Sequence, residues 1–170
     1  ETLDAAVTLG HRWLIQAFTA PEERSAGGYR RVAEFLNEAG EAAAPVQVRV
    51  GYHNHAFEFE PLEGTTGFDI LASELDPDVA DLEIDLHWAR VGGADPLALF
   101  REYPGRFRLC HVKDLDRQGG MADVGAGVID WAAIFAAAEE AGLEHAFVEH
   151  DQPDDPLASI TASYRYLTGS

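Results

Sequence analysis

The feature that most constrains the fold is a regular alternation of short apolar segments with helix-like segments along the whole chain. Each strand-like run is followed by a segment with helical spacing of its apolar residues. Strands that are each followed by a helix pair in parallel, because a parallel crossover needs a connection of helical length. The sequence therefore predicts an α/β protein with five strand–helix units. The predicted strands cover residues 12–18, 46–59, 79–86, 107–112 and 146–150, and the predicted helices cover residues 22–41, 68–75, 96–103, 131–141 and 156–167.

Several predicted helices carry boundary residues. Pro21 is expected at the start of the first helix, and Asp130 is expected to cap the fourth. Residues 1–9 are typical of the end of a further helix, which Gly10 stops. Because this segment has neither a clear beginning nor an initiating methionine, we expect further residues upstream of it.

The charge balance narrows the classes of partner. Acidic residues number 30 against 12 basic ones, which gives a formal net charge of −18. A surface this negative repels phosphate backbones and anionic lipids, so we expect no nucleic-acid partner and no membrane binding. The single cysteine, Cys110, excludes an internal disulfide and fits a reducing compartment. Because no linker or composition break interrupts the chain, we predict one cytoplasmic domain over residues 1–170.

Two architectures satisfy the alternation, a doubly wound open sheet and a (β/α) barrel. No glycine-rich phosphate loop follows the first strand, which weakens the nucleotide-binding version of the open sheet. Four strands carry a potential metal ligand at or near the C-terminal end, which is where barrels build their active sites. These residues are His53 on the second strand, Asp85 on the third, His111 on the fourth and Glu149 on the fifth.

The four groups follow one another at intervals of about one strand–helix unit, so they are presented at the same end of neighbouring strands. Two imidazoles and two carboxylates suit a divalent ion such as Mn²⁺, Zn²⁺, Co²⁺, Fe²⁺ or Mg²⁺. Taken singly, each residue has an ordinary structural explanation as a hydrogen-bonded histidine, a helix cap or an ion-pair partner. Carboxylates inside apolar strands are costly unless they are paired or coordinated, so the set as a whole predicts a metal site.

Lys113 is the only lysine of the chain. It lies two residues after His111, and strand alternation points both side chains to the same side. A lysine there could bind a substrate oxygen, stabilise an enolate-like charge or act in proton transfer. The structural alternative is an ion pair with Asp114 or Asp116 at the edge of a loop.

Four further residues near the predicted site are candidates for binding or chemistry. His55 is a candidate acid or base, and His87 is a candidate for contacting substrate or returning a proton. Glu58 lies off the side shared by the histidines of its strand, so it is either a substrate or supporting contact or a strand-end surface charge. Trp88 packs in the core or walls a sugar-sized pocket. The glycine-rich stretch 119–127 is either a mobile loop beside the site or a plain connection.

These motifs together resemble the sugar phosphate isomerase/epimerase family, the xylose isomerase-like TIM barrels that include inosose dehydratases and ketose 3-epimerases, and within it a GYHNH subgroup. The resemblance implies a (β/α)8 barrel with one divalent ion, whose usual ligands are Glu, Asp, His and Glu from the last four strands. Asp85, His111 and Glu149 match the last three, and His53 stands where a glutamate is more common. That replacement argues against the two-carboxylate mechanism of the ketose 3-epimerases. The matching runs, from about residue 28 onward, are GYHNHAFEF, LEIDLHWARVGG, GRFRLCHVKD, VGAGVIDW and FVEHDQPDDPLASITASYRYL.

The resemblance also implies a strand count. If Glu149 lies on the eighth strand, residues 12–18 form the fourth, and about three N-terminal units, roughly 90 residues, are absent from this chain. A partial barrel leaves two exposed parallel edges. We therefore expect a complementing fragment, pairing of subunits in a homo-oligomer, or an adapted fold.

The family implies a divalent-metal-dependent isomerase, epimerase or dehydratase that acts on a small sugar or inositol-like ketone through an enediolate. Glu149 is the expected base, and Lys113, His55 or His87 would return the proton or protonate a leaving hydroxyl. The histidine at position 53 favours lyase chemistry slightly. A non-catalytic partial barrel with a binding role is the alternative. A related apurinic-site endonuclease would need more metal ligands and a basic groove, which a net charge of −18 disfavours.

Overall fold

The computed structural model describes residues 1–169, and the contacts within the chain divide it into two compact units, Glu1–Glu83 and Ile84–Ser170. Each unit is described by itself. In both, parallel strands alternate with helices along the chain, which confirms the predicted α/β class.

The first unit contains three strands that pair in parallel. The elements in chain order are α1 (Thr2–Leu9), β1 (Trp13–Gln16), α2 (Ala26–Ala43), β2 (Arg49–His53), β3 (Pro61–Leu62), β4 (Thr65–Thr66), α3 (Gly67–Glu74) and β5 (Ala80–Asp85), whose last two residues belong to the second unit. Strand β1 pairs with β2, β2 pairs with β5, and β3 and β4 form a short antiparallel hairpin.

Helix α2 covers this unit with an amphipathic face. Tyr29, Ala33 and Leu36 recur at helical spacing and are buried, as the strand residue Tyr52 is. A Cβ on Gly67, at the start of α3, would lie 2.4 Å from the Tyr29 ring. The close approach of these two helices therefore requires glycine at that position.

The N-terminal ends of the three strands are joined by a charged network. Asp81 of β5 accepts hydrogen bonds from the Arg49 guanidinium at 2.6 and 2.8 Å and from the Trp13 indole at 2.8 Å. The two parallel bonds from the guanidinium form the fork geometry that strengthens such pairs. The opposite, C-terminal ends of β2 and β5 carry His53 and Glu83.

Two sequence-based boundaries in the first unit are wrong. Helix α2 begins at Ala26, not near Pro21, because residues 21–23 form a 3₁₀ turn and the Ser25 hydroxyl caps the helix by accepting from the Gly28 amide at 3.1 Å. The strand predicted over residues 46–59 ends at His53, and residues 57–59 form another 3₁₀ turn.

The second unit is built on the end of β5 and on two strands that pair in parallel, β6 with β9. Its elements in chain order are α4 (Leu86–Val91), α5 (Pro96–Glu102), β6 (Phe107–Val112), β7 (Asp114–Leu115), β8 (Met121–Ala122), α6 (Trp131–Ala136), α7 (Ala138–Ala141), β9 (His145–Val148) and α8 (Pro156–Thr168). The short strands β7 and β8 form an antiparallel hairpin.

Aspartates begin most helices of the second unit. The predicted cap at Asp130 is confirmed, since its carboxylate accepts from the Ala133 amide at 3.0 Å. The predicted helix over 131–141 is interrupted at Ala137 and forms two helices, α6 and α7. Helix α4 was not predicted, and its first residue, Leu86, falls within the strand predicted over residues 79–86.

Among residues 1–169, no helix is both long enough and apolar enough to span a bilayer.

Candidate active site

Three of the four predicted metal ligands come together in the second unit. Asp85 ends β5, His111 lies in β6 and Glu149 directly follows β9, so parallel strands deliver all three from their C-terminal ends. One ligand atom from each lies within 4.8 Å of the ligand atoms of the other two. Ligands of one ion at metal–oxygen and metal–nitrogen distances of about 2.1 Å lie up to about 4.2 Å apart, so small side-chain movements would close the set on a single ion.

Asp85 has two separate tasks. Its Oδ1 accepts the Trp88 amide at 2.9 Å and thereby caps helix α4, while its Oδ2 lies 3.0 Å from the Lys113 ammonium. The side chain is completely buried. Capping was the structural alternative for this residue, and the structure shows that one oxygen caps while the other faces the cluster.

His111 and Glu149 face each other directly. The His111 Nδ1 lies 2.7 Å from Glu149 Oε2 and 3.9 Å from Asp85 Oδ2. Burial acts to raise the pKa of the Glu149 carboxyl, but the hydrogen bond and charge of Lys113, together with those of His111, outweigh it and leave the pKa below its usual value. Glu149 is therefore ionised at neutral pH, as a ligand or base must be.

Lys113 is the positive centre of this cluster. Its ammonium contacts Asp85 at 3.0 Å, Glu149 at 2.8 Å and Asp151 at 3.1 Å, and the side chain is buried. Burial acts to lower the pKa of Lys113, but the charge of Asp85 and the hydrogen bonds to the three carboxylates outweigh it and raise the pKa. The alternative partners Asp114 and Asp116 are wrong. Lys113 is a fixed cation inside the site.

The fourth predicted ligand, His53, lies in the first unit. It ends β2, is buried, and its Nδ1 lies 3.0 Å from the Glu83 Oε2 of β5. Glu83 was missed by the sequence-based prediction. The signal that could have found it is the run Asp81, Glu83, Asp85, three carboxylates at every second position of a buried strand and hence on one face of it.

His55, the predicted acid or base, is held by aromatic contacts. Its ring stacks on Phe57 at a centroid distance of 5.4 Å and an angle of 6°, and it meets the His53 ring edge-on at 5.2 Å. The Arg24 guanidinium covers Phe57 at 3.4 Å from the ring centroid. The orientation of His55 is thus fixed by stacked planar groups.

Glu58 lies beneath this loop and is completely buried. Its Oε1 accepts from the Tyr52 hydroxyl at 2.6 Å, and its Oε2 accepts from the His55 amide at 2.7 Å. The Tyr52 hydroxyl also contacts Thr19 at 2.6 Å. Burial raises the pKa of Glu58, although the two donated hydrogen bonds oppose the rise. These contacts hold the backbone of the loop, and a contact between Glu58 and a substrate stays a prediction.

A cavity of about 390 Å³ lies in the second unit. The predicted substrate contacts His87 and Trp88 both line it. The His87 Nδ1 lies 3.0 Å from the Asp114 carbonyl, which only accepts, so Nδ1 is the donor of this bond and the ring is oriented by it. The cavity is lined by His87, Trp88, Gly119, Gly120, Met121, His150, Asp151 and Gln152.

Asp114, which the sequence-based prediction gave no role in the site, organises the loop beside this cavity. Its buried carboxylate accepts from the amides of residues 115, 125, 127 and 129 and from the Trp131 indole, at 2.8–3.2 Å. Gly125 has a positive φ of 91° and lies against the Tyr166 ring, where a Cβ would clash. The stretch 119–127 is therefore anchored at its C-terminal end. Trp131 is a buried core residue.

Comparison with known proteins decides the family. The sequence profile described as xylose isomerase-like TIM barrel matches residues 1–168. The chain belongs to this family. The fold and the resemblance predicted from the motifs are confirmed, while assignment to a GYHNH subgroup stays a prediction.

Individual relatives agree with this membership. The chain is 28% identical to an inosose dehydratase from Lacticaseibacillus casei over 149 residues, which are 77% of this chain and 49% of that protein. It is 28% identical to a sugar phosphate isomerase/epimerase from Parabacteroides distasonis, with a TM-score of 0.86 over 99% of this chain and 61% of that one. A more distant structure of the same fold, the IOLI protein with a bound zinc atom, has 16% identity and a TM-score of 0.75 over 99% of this chain and 66% of that one. The chain spans about half the length of the curated relatives that it matches.

Proposed function

We propose that this chain carries the metal-binding and catalytic half of a divalent-metal-dependent enzyme that acts on a small polyhydroxylated ketone. The observation that carries the proposal is the convergence of Asp85, His111 and Glu149 around the buried Lys113. One imidazole nitrogen and two carboxylate oxygens suit Mn²⁺, Zn²⁺, Co²⁺, Fe²⁺ or Mg²⁺. We retain His53 as the fourth ligand on the strength of its sequence motif.

A bound divalent ion would supply Lewis acidity to a substrate carbonyl and to its neighbouring hydroxyl. The residues of the chain would then manage the proton and the charge. Glu149, ionised and half-exposed, takes the proton from the carbon beside the carbonyl. The Lys113 ammonium, held among carboxylates, stabilises the negative charge of the resulting enediolate. Its raised pKa favours this electrostatic role over proton return, which we assign to His55 or His87.

The cavity beside the cluster supports a substrate of sugar or inositol size. Its volume of about 390 Å³ accommodates a six-carbon ring with bound water, and its lining offers many hydrogen-bonding groups with one indole wall from Trp88. His87 Nε2 is the ring nitrogen available to a substrate hydroxyl, since Nδ1 donates to the Asp114 carbonyl. It would accept from the hydroxyl as the neutral ring and donate to it as the imidazolium.

We propose dehydration as the reaction. The curated relatives at 28% identity are inosose dehydratases. The family resemblance also puts His53 where the two-carboxylate epimerases have a glutamate. In this reaction the C–H bond beside the carbonyl breaks, a C=C bond forms, and the β C–O bond breaks. The β-hydroxyl takes a proton from the acid residue and leaves as water, while Glu149 holds the proton taken from carbon. Return of the proton to carbon instead would give isomerisation or epimerisation.

The test follows solvent deuterium uptake at the carbon beside the carbonyl of an inosose, with full-length protein. Removal of metal with EDTA is expected to abolish exchange, and Mn²⁺ is expected to restore it. Asp85→Asn keeps the oxygen that caps α4 but loses the second carboxylate oxygen, so it is expected to bind Mn²⁺ and exchange deuterium at least tenfold less well. The exposed Glu34→Gln is the matched control.

Exchange that persists after chelation, or in Asp85→Asn, would overturn the proposal. Calorimetry that detects no divalent ion bound more tightly than about 1 mM would instead favour the non-catalytic binding role. A homo-oligomer or a complementing fragment, and a cytoplasmic location, stay predictions, and native mass spectrometry tests the former.

A further inference from the structure

We infer that Glu83 is a positioning residue of the metal centre, which holds the His53 ring so that Nε2 is the nitrogen presented to a divalent ion. The inference rests on the proposed function, because it takes His53 to be a metal ligand. It adds a residue that the predicted ligand set does not contain.

The two residues are placed together by the sheet of the first unit. His53, the last residue of β2, is the direct register partner of Glu83 in β5. The Glu83 Oε2 lies 3.0 Å from the His53 Nδ1, and the residues are only 6% and 4% exposed. The His55 ring meets His53 edge-on at 5.2 Å. The imidazole is therefore held by a hydrogen bond and by a ring contact.

The chemistry of this bond decides which ring nitrogen is available. A carboxylate accepts a hydrogen bond from an imidazole N–H, so a His53 ring that donates from Nδ1 to Glu83 presents the lone pair of Nε2 to an ion. Metal-binding histidines generally donate their second nitrogen to a carboxylate or carbonyl, which fixes the ring and raises the basicity of the coordinating nitrogen. Glu83 supplies this partner from inside the sheet, where water does not compete for the bond.

The arrangement also explains how the chain accommodates a histidine at position 53. A glutamate there would bring a negative charge to the end of β2. In this chain a carboxylate stands on the next strand at the same register level and contacts the histidine. A carboxylate is thus retained beside position 53.

The first measurement is the affinity of full-length, metal-free protein for Mn²⁺ by isothermal titration calorimetry. Glu83→Gln keeps the shape and an acceptor oxygen but loses the charge, and we expect a dissociation constant about tenfold higher than in the wild type. Glu83→Leu removes the acceptor, and we expect an increase of about 100-fold. Glu34→Gln, which removes one exposed negative charge from α2, is expected to leave the constant unchanged.

A double-mutant cycle separates positioning from other roles. If Glu83 acts through His53, Glu83→Gln has no further effect on Mn²⁺ affinity in a His53→Ala background. An equal loss in both backgrounds would overturn the inference, because Glu83 would then act independently of the histidine. An unchanged affinity of Glu83→Gln in the wild-type background would also overturn it, and would leave the proposed function standing. If the wild type itself binds no divalent ion, the proposed function fails as well.

The tautomer gives a readout that does not depend on the stability of any Glu83 variant. In metal-free, ¹⁵N-histidine-labelled wild-type protein, the His53 ring, assigned by the signal lost in His53→Gln, is expected to show a protonated Nδ1 and an unprotonated Nε2. The opposite pattern would overturn the inference.

Discussion

Lys113 shows how a single residue links the electrostatics of the cluster to the proposed chemistry. Its ammonium lies between Asp85 and Glu149, so it neutralises two of the groups that would bind a cation. In Lys113→Met the chain loses the charge and keeps similar bulk. We expect Mn²⁺ binding to be as tight or tighter, because a competing cation is gone. We expect kcat to fall by a factor of about 100 to 1,000, because the enediolate loses its charged donor.

This split between affinity and turnover is measured by calorimetry and steady-state kinetics on metal-loaded protein. A structural role alone would lower both, since loss of one partner of a buried pair destabilises the fold. Weaker metal binding with unchanged kcat would contradict the assignment.

Glu58 carries a prediction about stability and pH. Its pKa is raised by burial in the folded chain, so the unfolded chain ionises first as the pH rises from about 4. The free energy of unfolding therefore falls as the pH passes the unfolded pKa and stops falling above the folded one. Glu58→Gln removes this titration. Its carbonyl still accepts from the His55 amide, and its amide donates to the Tyr52 hydroxyl, whose own proton turns toward Thr19.

We expect Glu58→Gln to gain stability relative to the wild type between about pH 4 and pH 7, as measured by urea unfolding at each pH. Glu34→Gln, on an exposed position, is expected to show a smaller change. A difference between Glu58→Gln and wild type that is constant with pH would contradict a raised pKa for this carboxyl.

At the level of elements, the sequence predicts what depends on periodicity and misses what depends on individual hydrogen bonds. The strand 107–112 is placed to the residue, because only Arg108 and His111 interrupt its apolar residues. The strand predicted to continue to residue 59 stops at His53, because the Glu58 carboxylate takes the His55 amide out of extended pairing. Periodicity does not predict helix α4 either, because the helix begins at a single side-chain hydrogen bond, from the Trp88 amide to Asp85.

In the predicted site, too, periodicity predicts some features and individual side-chain contacts decide the others. Regular strand–helix spacing places Asp85, His111 and Glu149 at the ends of parallel strands, and this much can be read from the sequence. The partners of Lys113 cannot, because they come from two other elements and depend on side-chain reach. The sequence suggests Asp114 only as a partner of Lys113. Its carboxylate instead accepts five hydrogen bonds, four from backbone amides and one from the Trp131 indole.

At the scale of the whole molecule, a metal ion that binds only the folded protein must stabilise it. The linked free energy is about 2.7 kcal/mol when the free ion is at 100 times its dissociation constant, provided that the unfolded chain does not bind it. We therefore expect Mn²⁺ to raise the urea midpoint of full-length, metal-free protein, and EDTA to reverse the change. In Asp85→Asn, a dissociation constant at least tenfold higher reduces the gain by about 1.4 kcal/mol at the same concentration of ion.

Lys113→Met separates this effect from general screening of a chain with a net charge of −18. Screening would stabilise Asp85→Asn and Lys113→Met to the same extent. Specific binding would instead leave Lys113→Met with the full increase in the free energy of unfolding or more. Equal midpoints in Mn²⁺ and in the same ionic strength of NaCl would show that the carboxylates and the imidazole do not form a metal centre.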